Sequence, residues 1–287
     1  MKPQTGFLAT MERESRARAR ALGSAQRSEL VQRARDAAPA RRLRLDPRGF
    51  DLLAELKRRS PANGVLATGG DENLRARARA YAAGGACALS VLTEPTRFDG
   101  ALAHLGLARA ASALPVMRKD FLVDPVQVLE ARASGADGVL LVARLVPEAL
   151  LSELLACARE HGLFVLVEAF DADDLARTLA LRPREEETEG GEEEETGAFF
   201  VGVNARDLVT LAVEPPRALE LARRIPRGLP SVAESGIERP SDARAAARAG
   251  FSLALVGTAL MRAPDPRALV EELLAAGREE RARCASV

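Results

Sequence analysis

The sequence predicts a parallel (β/α)8 TIM barrel with an N-terminal helical extension, and three observations predict it. Eight short apolar runs of β character alternate with stretches of helical period. Successive runs end mostly about 23–37 residues apart, the length of one strand, one helix and their connections. The chain has 287 residues, and a barrel of this kind takes about 250. A doubly wound open sheet is the alternative architecture. No G-x-G-x-x-G follows the first run, which weakens a dinucleotide-binding version of it.

Residues 1–50 precede the first β-run and carry helical patterns at Gly6–Ala21 and Ser28–Ala37, hence the extension. Residues 51–287 are assigned to the barrel. Leu52–Lys57 reads as the first strand, and Asn73–Ala83 as a helix leading to the second strand, Ala88–Leu92. Pro115–Lys119 is the third strand; Pro125–Ser134 follows it, opened by a proline suited to a first helical turn. Gly138–Val142 precedes the helical Pro147–Glu160, and Phe164–Glu168 precedes Asp171–Leu181, which starts on a capping aspartate. Phe199–Asn204 with Pro216–Arg224, Ser231–Glu234 with Pro240–Ala249, and Leu253–Val256 with Asp265–Ala276 complete the alternation. Between the fifth helix and the sixth strand stands an acidic insertion, residues 184–196, holding eight Glu. Such a run has no apolar surface to bury and is expected to be disordered. As a helix-to-strand connection it belongs on the barrel face away from the active site.

The formal net charge is zero. The many arginines of residues 13–48 fall on amphipathic helical patterns without interleaved aromatics, so no nucleic-acid partner is expected. No apolar run approaches the roughly 18 residues of a membrane span, and Met1–Gly6 lacks a signal-peptide core. Cys87, Cys157 and Cys284 are far apart and without metal-ligand spacing, so a reducing, cytoplasmic location is expected. His104 and His161, the only histidines, sit in polar helical stretches and read as solvated or capping residues. Neither a metal site nor a His-based triad is expected.

Candidate chemistry comes from the rarest cation. The chain has 38 Arg and only three Lys, at Lys2, Lys57 and Lys119. Arginine does not release its proton near neutral pH; a buried or paired lysine can be tuned to do so. Lys57 and Lys119 both end a predicted strand, where parallel α/β proteins place their chemistry. Glu55 alternates to the same side as Lys57. Strand five ends in Glu168, strand six in Asn204 with Arg206 just beyond, strand seven in Glu234-Ser235-Gly236, and Gly257-Thr258 follows strand eight. Glu55, Lys57, Lys119 and Glu168 form a set suited to proton transfer; the plainer reading is a charged ring that satisfies itself. Gly236, Gly257 and Thr258 offer backbone N–H groups where barrels bind phosphate. Asp120 reads as a salt-bridge or turn residue, and Arg206 and Asp207 as turn caps as readily as site groups.

Most of these residues lie in motifs that run in order through the first seven strands. The motifs are Ala54–Pro61, Ser90–Glu94 with Phe98–Gly100, Leu114–Phe121, Gly135–Leu141, Leu166–Glu168, Gly202–Leu208 and Glu234–Ile237. On them the chain resembles the indole-3-glycerol phosphate synthase family. The resemblance implies acid–base roles for Lys119, Glu168 and Glu55, supported by Lys57 and Asn204. It implies that Phe98, Phe121 and Leu208 line an aromatic pocket with Arg206 beside it, and that Ser60, Glu234 and Ser235 contact the polar part of the substrate. Lys57, Gly236, Gly257 and Thr258 would hold phosphate. The implied substrate is a small phosphorylated molecule, 1-(2-carboxyphenylamino)-1-deoxyribulose 5-phosphate. It undergoes ring closure, decarboxylation and dehydration with no cofactor. A monomer is expected, with association with other tryptophan-pathway enzymes left open. The chain departs from the family pattern at Asn63, where Lys is usual, at Ala67–Gly70, at Phe170, where His is common, and in the acidic insertion. Two rival readings remain: a Schiff-base sugar-phosphate aldolase with Lys119 as nucleophile, and a catalytically silent barrel acting as an interaction module. Intact Glu55, Lys119, Glu168 and Asn204 speak against the second.

Overall fold

The computed structural model describes residues 6–47, 49–66, 70–182, 198–207 and 210–285. Leu208 and the acidic insertion lie outside the described residues. Two helices come first, α1 (Phe7–Ala21) and α2 (Ser24–Asp36). Strand β1 (Asp51–Leu56) leads into a small hairpin, β2 (Arg59–Ser60) and β3 (Gly64–Val65), and then α3 (Gly70–Ala83). Next come β4 (Ala88–Leu92), α4 (Pro95–Phe98), α5 (Ala103–Ala111), β5 (Val116–Lys119) and α6 (Pro125–Ala133). They are followed by β6 (Gly138–Val142), α7 (Glu148–Glu160), β7 (Phe164–Ala169), α8 (Ala172–Ala180), β8 (Phe199–Asn204) and α9 (Pro215–Ala222). Last are β9 (Ser231–Glu234), α10 (Pro240–Ala249), β10 (Leu253–Val256), α11 (Thr258–Arg262) and α12 (Pro266–Ala285).

Strand β1 pairs in parallel with β4 on one side and β10 on the other, and the remaining pairs run β4 to β10 in sequence order. This is the predicted closed eight-stranded barrel. Every residue of β1, β4, β6, β7, β8, β9 and β10 is buried. Strands covered on both faces read as nearly continuous apolar runs, which is why the sequence located them within one residue or so.

Helix boundaries differ more. Helix α2 starts at Ser24 rather than Ser28, because Gln26 Oε1 accepts the N–H of Gly23 at 2.9 Å and closes the first turn. Helix α12 runs to Ala285 rather than Ala276. Arg278 Nε donates to the carbonyl of Phe50 and Arg281 Nε to that of Gly49, each at 3.0 Å, so tertiary contacts hold the extra turns. Helices α4 and α11 and the β2–β3 hairpin were not predicted, and α5 was read only as a helical stretch around His104, without bounds. The start of α5 has no Ser, Thr, Asp or Asn cap. Instead buried His104 accepts the N–H of Ala101 at 3.2 Å, so of its two predicted roles it takes the capping one.

At the amino ends of the strands, buried carboxylates are fully engaged. Asp137 Oδ1 accepts from the Arg41 N–H at 2.7 Å and from Arg109, and Oδ2 accepts from Val116 N–H at 2.9 Å. Arg41 also donates to the carbonyls of Ser112 and Leu114, at 2.8 and 2.9 Å. Asp51 accepts from Asp46 N–H at 2.6 Å and pairs with Arg278 at 3.0 Å. These clamps tie the segment after α2 to the bottom of the barrel.

Candidate active site

The carboxyl ends of the strands converge on one cavity. Lys119 closes β5 and projects its Nζ to 2.8 Å from Glu234 Oε2, at the end of β9, and to 3.6 Å from Glu168 Oε1, on β7. Asn204, at the end of β8, donates from Nδ2 to that Glu168 oxygen at 2.6 Å, and its Oδ1 accepts Arg206 N–H at 2.9 Å. Glu55 and Lys57 form a separate pair with Oε1···Nζ at 2.5 Å. The expected set of two amines and two carboxylates is therefore split in two. Glu234, read from sequence as a substrate contact, is the nearest carboxylate to Lys119.

Protonation follows from the geometry. Burial alone would push the Lys119 ammonium down, but Glu168, Glu234 and Glu55 outweigh it and hold the group above its ordinary value. Burial, then the neighbouring Glu168, pushes Glu234 up to about 8 against the opposing pull of Lys119. Glu234 Oε1 is buried without a hydrogen-bond partner among the described residues. Gly202 of β8 makes room for it, since an added Cβ would overlap that oxygen. Arg206 donates from Nη1 to the carbonyl of Leu211 at 2.9 Å, and burial draws its pKa down against Glu55 and Glu238.

The turn after β9 carries two consecutive left-handed residues, Ser235 at φ 65° and Gly236 at φ 79°. A non-glycine residue held there stores strain of a kind found at functional sites. Gly257 precedes α11, and Thr258 opens it. Gly257 lines the cavity, and a Cβ added to it would overlap the carboxylate of Glu55 and come within 2.8 Å of Lys57 Nζ. Its smallness serves the Glu55–Lys57 pair.

On the opposite wall stand aromatic rings. Phe98 and Phe121 have centroids 6.4 Å apart. Among the described residues, every sequence-predicted site residue, including Ser60, lines this cavity. Asp120 also lines it and, as read, forms salt bridges, to Arg118 at 2.9 Å and to Arg18 at 2.8 Å.

A family model described as indole-3-glycerol phosphate synthase matches residues 10–273. A protein of that name from Parafrankia sp. (strain EAN1pec) is 42% identical over 260 residues, covering 91% of this chain and 89% of the relative. This chain belongs to the indole-3-glycerol phosphate synthase family. Another protein of the same name, from Micrococcus luteus, is 41% identical over 263 residues, covering 90% of this chain and 92% of the relative. Among solved structures, a 3-hexulose-6-phosphate synthase aligns with a TM-score of 0.58 at 17% identity, over 79% of this chain and 99% of that one. Tryptophan synthase subunit alpha from Legionella pneumophila aligns at 0.54 and 17%, over 81% and 93%. At such identities these structures share the barrel and no more.

In this indole-3-glycerol phosphate synthase family member, sequence reading missed Phe7, the first residue of α1. Its ring stands 6.5 Å from that of Phe98 and 5.9 Å from that of Phe121, edge-on to both. The available signal was a phenylalanine opening an otherwise polar, arginine-rich helix. Phe170 also lines the cavity, with the Arg144 guanidinium 5.0 Å over its ring. Among the described residues, no helix is long and apolar enough to cross a membrane.

Proposed function

We propose that this chain is a carbon–carbon lyase that converts 1-(2-carboxyphenylamino)-1-deoxyribulose 5-phosphate to indole-3-glycerol phosphate, releasing CO2 and water. The observation that carries the reading is Lys119, a half-buried ammonium 2.8 Å from Glu234 and 3.6 Å from Glu168, at the mouth of a barrel of this family. The ring carbon that bears the carboxylate attacks the C2′ carbonyl, forming the new C–C bond. Lys119 gives a proton to the developing alkoxide and stabilises its charge. The nitrogen, now cationic, draws the electrons of the breaking carboxylate bond as CO2 leaves and the ring becomes aromatic. The C2′ hydroxyl then departs as water while a proton leaves C1′. Glu168, held by Asn204, is placed to take that proton, and Glu234, pushed up to about 8, has one to give to the leaving oxygen. The aromatic part of the substrate rests on Phe98 and Phe121. The phosphate sits against the N–H groups of Gly236, Gly257 and Thr258, with the charge of Lys57 nearby.

The Schiff-base reading fares worse, because a nucleophilic amine must be neutral and the carboxylates around Lys119 keep it charged. The test is direct. Adding the carboxyphenylamino substrate should produce indole fluorescence. No such product, together with a covalent adduct trapped by borohydride, would hand the site to the aldolase reading.

A further inference from the structure

One arginine outside the barrel joins the supports of all three rings on the aromatic wall. Arg18 lies on α1, about three turns beyond Phe7. Its Nη2 is 2.8 Å from Asp120 Oδ1, and its Nη1 is 3.6 Å from Glu94 Oε1. Both carboxylates are buried, Asp120 at 3% and Glu94 at 1% exposure. Each carries one ring. Glu94 caps α4, accepting the N–H groups of Thr96 at 2.8 Å and Arg97 at 2.7 Å, and so fixes the short helix that ends in Phe98. Asp120 Oδ1 accepts the N–H of Phe121 at 2.8 Å. The carbonyl of Phe121 in turn accepts from Ser15 Oγ, on the same helix as Arg18.

We infer that Arg18 is a positioning residue for the aromatic ring of the substrate, holding Phe7, Phe98 and Phe121 in one wall through Glu94 and Asp120. The inference rests on the proposed function. A guanidinium suits the task, since its fork of donors serves two carboxylates in different directions, which an ammonium does less well. The two carboxylates depend on it unequally. Asp120 keeps Arg118 at 2.9 Å and the Thr93 hydroxyl at 2.8 Å on its other oxygen. Among the described residues, the ion pair of Glu94 comes from Arg18. Loss of Arg18 therefore leaves Glu94 buried with neutral donors alone, the N–H groups of Thr96 and Arg97 and the Thr96 hydroxyl at 2.7 Å, and loosens α4 and α1. Lys119, next to the still-anchored Asp120, keeps Glu234 and Glu168. Ring binding weakens while proton transfer survives.

Steady-state kinetics of Arg18→Met and Arg18→Lys test this, with inorganic phosphate as a competitive inhibitor and the melting temperature alongside. Arg18→Met should raise KM at least about tenfold with kcat within about threefold. The inhibition constant of phosphate should not move, because its cradle lies at β9 and β10. Arg18→Lys should fall between wild type and Arg18→Met. An unchanged KM in an active, folded variant overturns the inference, and so does an equal weakening of phosphate, which would mark a general loosening. If Arg18→Met does not fold, the KM of Arg18→Lys decides alone. A wild type that turns over no substrate sinks the proposed function and this inference with it. An active wild type with an unaffected variant sinks this inference only.

Discussion

Asp137 at the amino ends of the strands and Glu234 at the carboxyl ends are both buried carboxylates beside a cation, and they differ in how they are partnered. Both oxygens of Asp137 accept hydrogen bonds, from Arg41, Arg109 and Val116. Glu234 receives Lys119 on Oε2 and, among the described residues, no hydrogen bond on Oε1. Asp137 is surrounded by groups that lock the chain segment after α2 to the barrel. Glu234 sits opposite a second carboxylate, in a space opened by Gly202. Leaving a buried polar atom unmatched costs stability, and a site that must bind and turn over a ligand keeps such atoms in reserve. One rim is built for holding the fold and the other for chemistry, although both use the same residue types.

The largest effect should come at the lower rim. Asp137→Ala leaves the Arg41 and Arg109 clamp without its centre, and breaking a buried pair of this kind costs about 3–5 kcal/mol. The measurement is a denaturant melt, with kcat per folded molecule expected to stay within about twofold. A stable variant with poor turnover would erase the contrast between the rims. At the mouth, Lys119→Arg keeps the charge but loses the transferable proton. Turnover should fall at least about a hundredfold, roughly 2.7 kcal/mol, with the fold retained. Near-normal turnover would remove Lys119 from the acid role.

The pH dependence sharpens the comparison further. The folded-state pKa of Glu234 is raised to about 8, so the folded state binds more protons than the unfolded state between the ordinary glutamate value and there. The stability linked to this group is present below the ordinary glutamate range and is lost as pH rises through about 8. Melting temperature should therefore decline from pH 6 to about 9, and Glu234→Gln should flatten the decline. Parallel curves for the two proteins would show that Glu234 is not the group responsible. The smallest effect concerns the acidic insertion, which stands in the sequence between α8 and β8. Deleting 184–196 should leave kcat/KM within about threefold, under roughly 0.7 kcal/mol. A folded deletion variant with a large loss would mean that the run reaches the mouth.

Much of the mouth was legible because strand-end residues are local to their strands. Lys119 and Glu168 stand at the ends of apolar runs, and a run buried on both faces announces itself residue by residue. What escaped was whatever depends on a distant partner. Helix α5 has no capping side chain ahead of it, and its start is organised by His104 from within. Phe7 belongs to the pocket only because α1 is held down by Arg18 and Ser15 on loops about a hundred positions away. Gly257 was read for its backbone N–H alone, whereas its missing side chain also makes room for Glu55.

The sequence by itself determined the alternation of strand and helix, the barrel, and which charged residues would gather at its carboxyl rim. Periodicity and chain direction are enough for that, since each strand delivers its last side chains to the same end. Only the tertiary structure decided that Lys119 pairs first with Glu234, that Glu55 turns to Lys57, and that the extension supplies the third aromatic ring. Those choices are made when β1 closes onto β10 and neighbouring strands take their register. Closure converts residues as far apart as Lys119 and Glu234 into hydrogen-bonded neighbours, and local propensity carries no information about which of several available carboxylates will lie nearest.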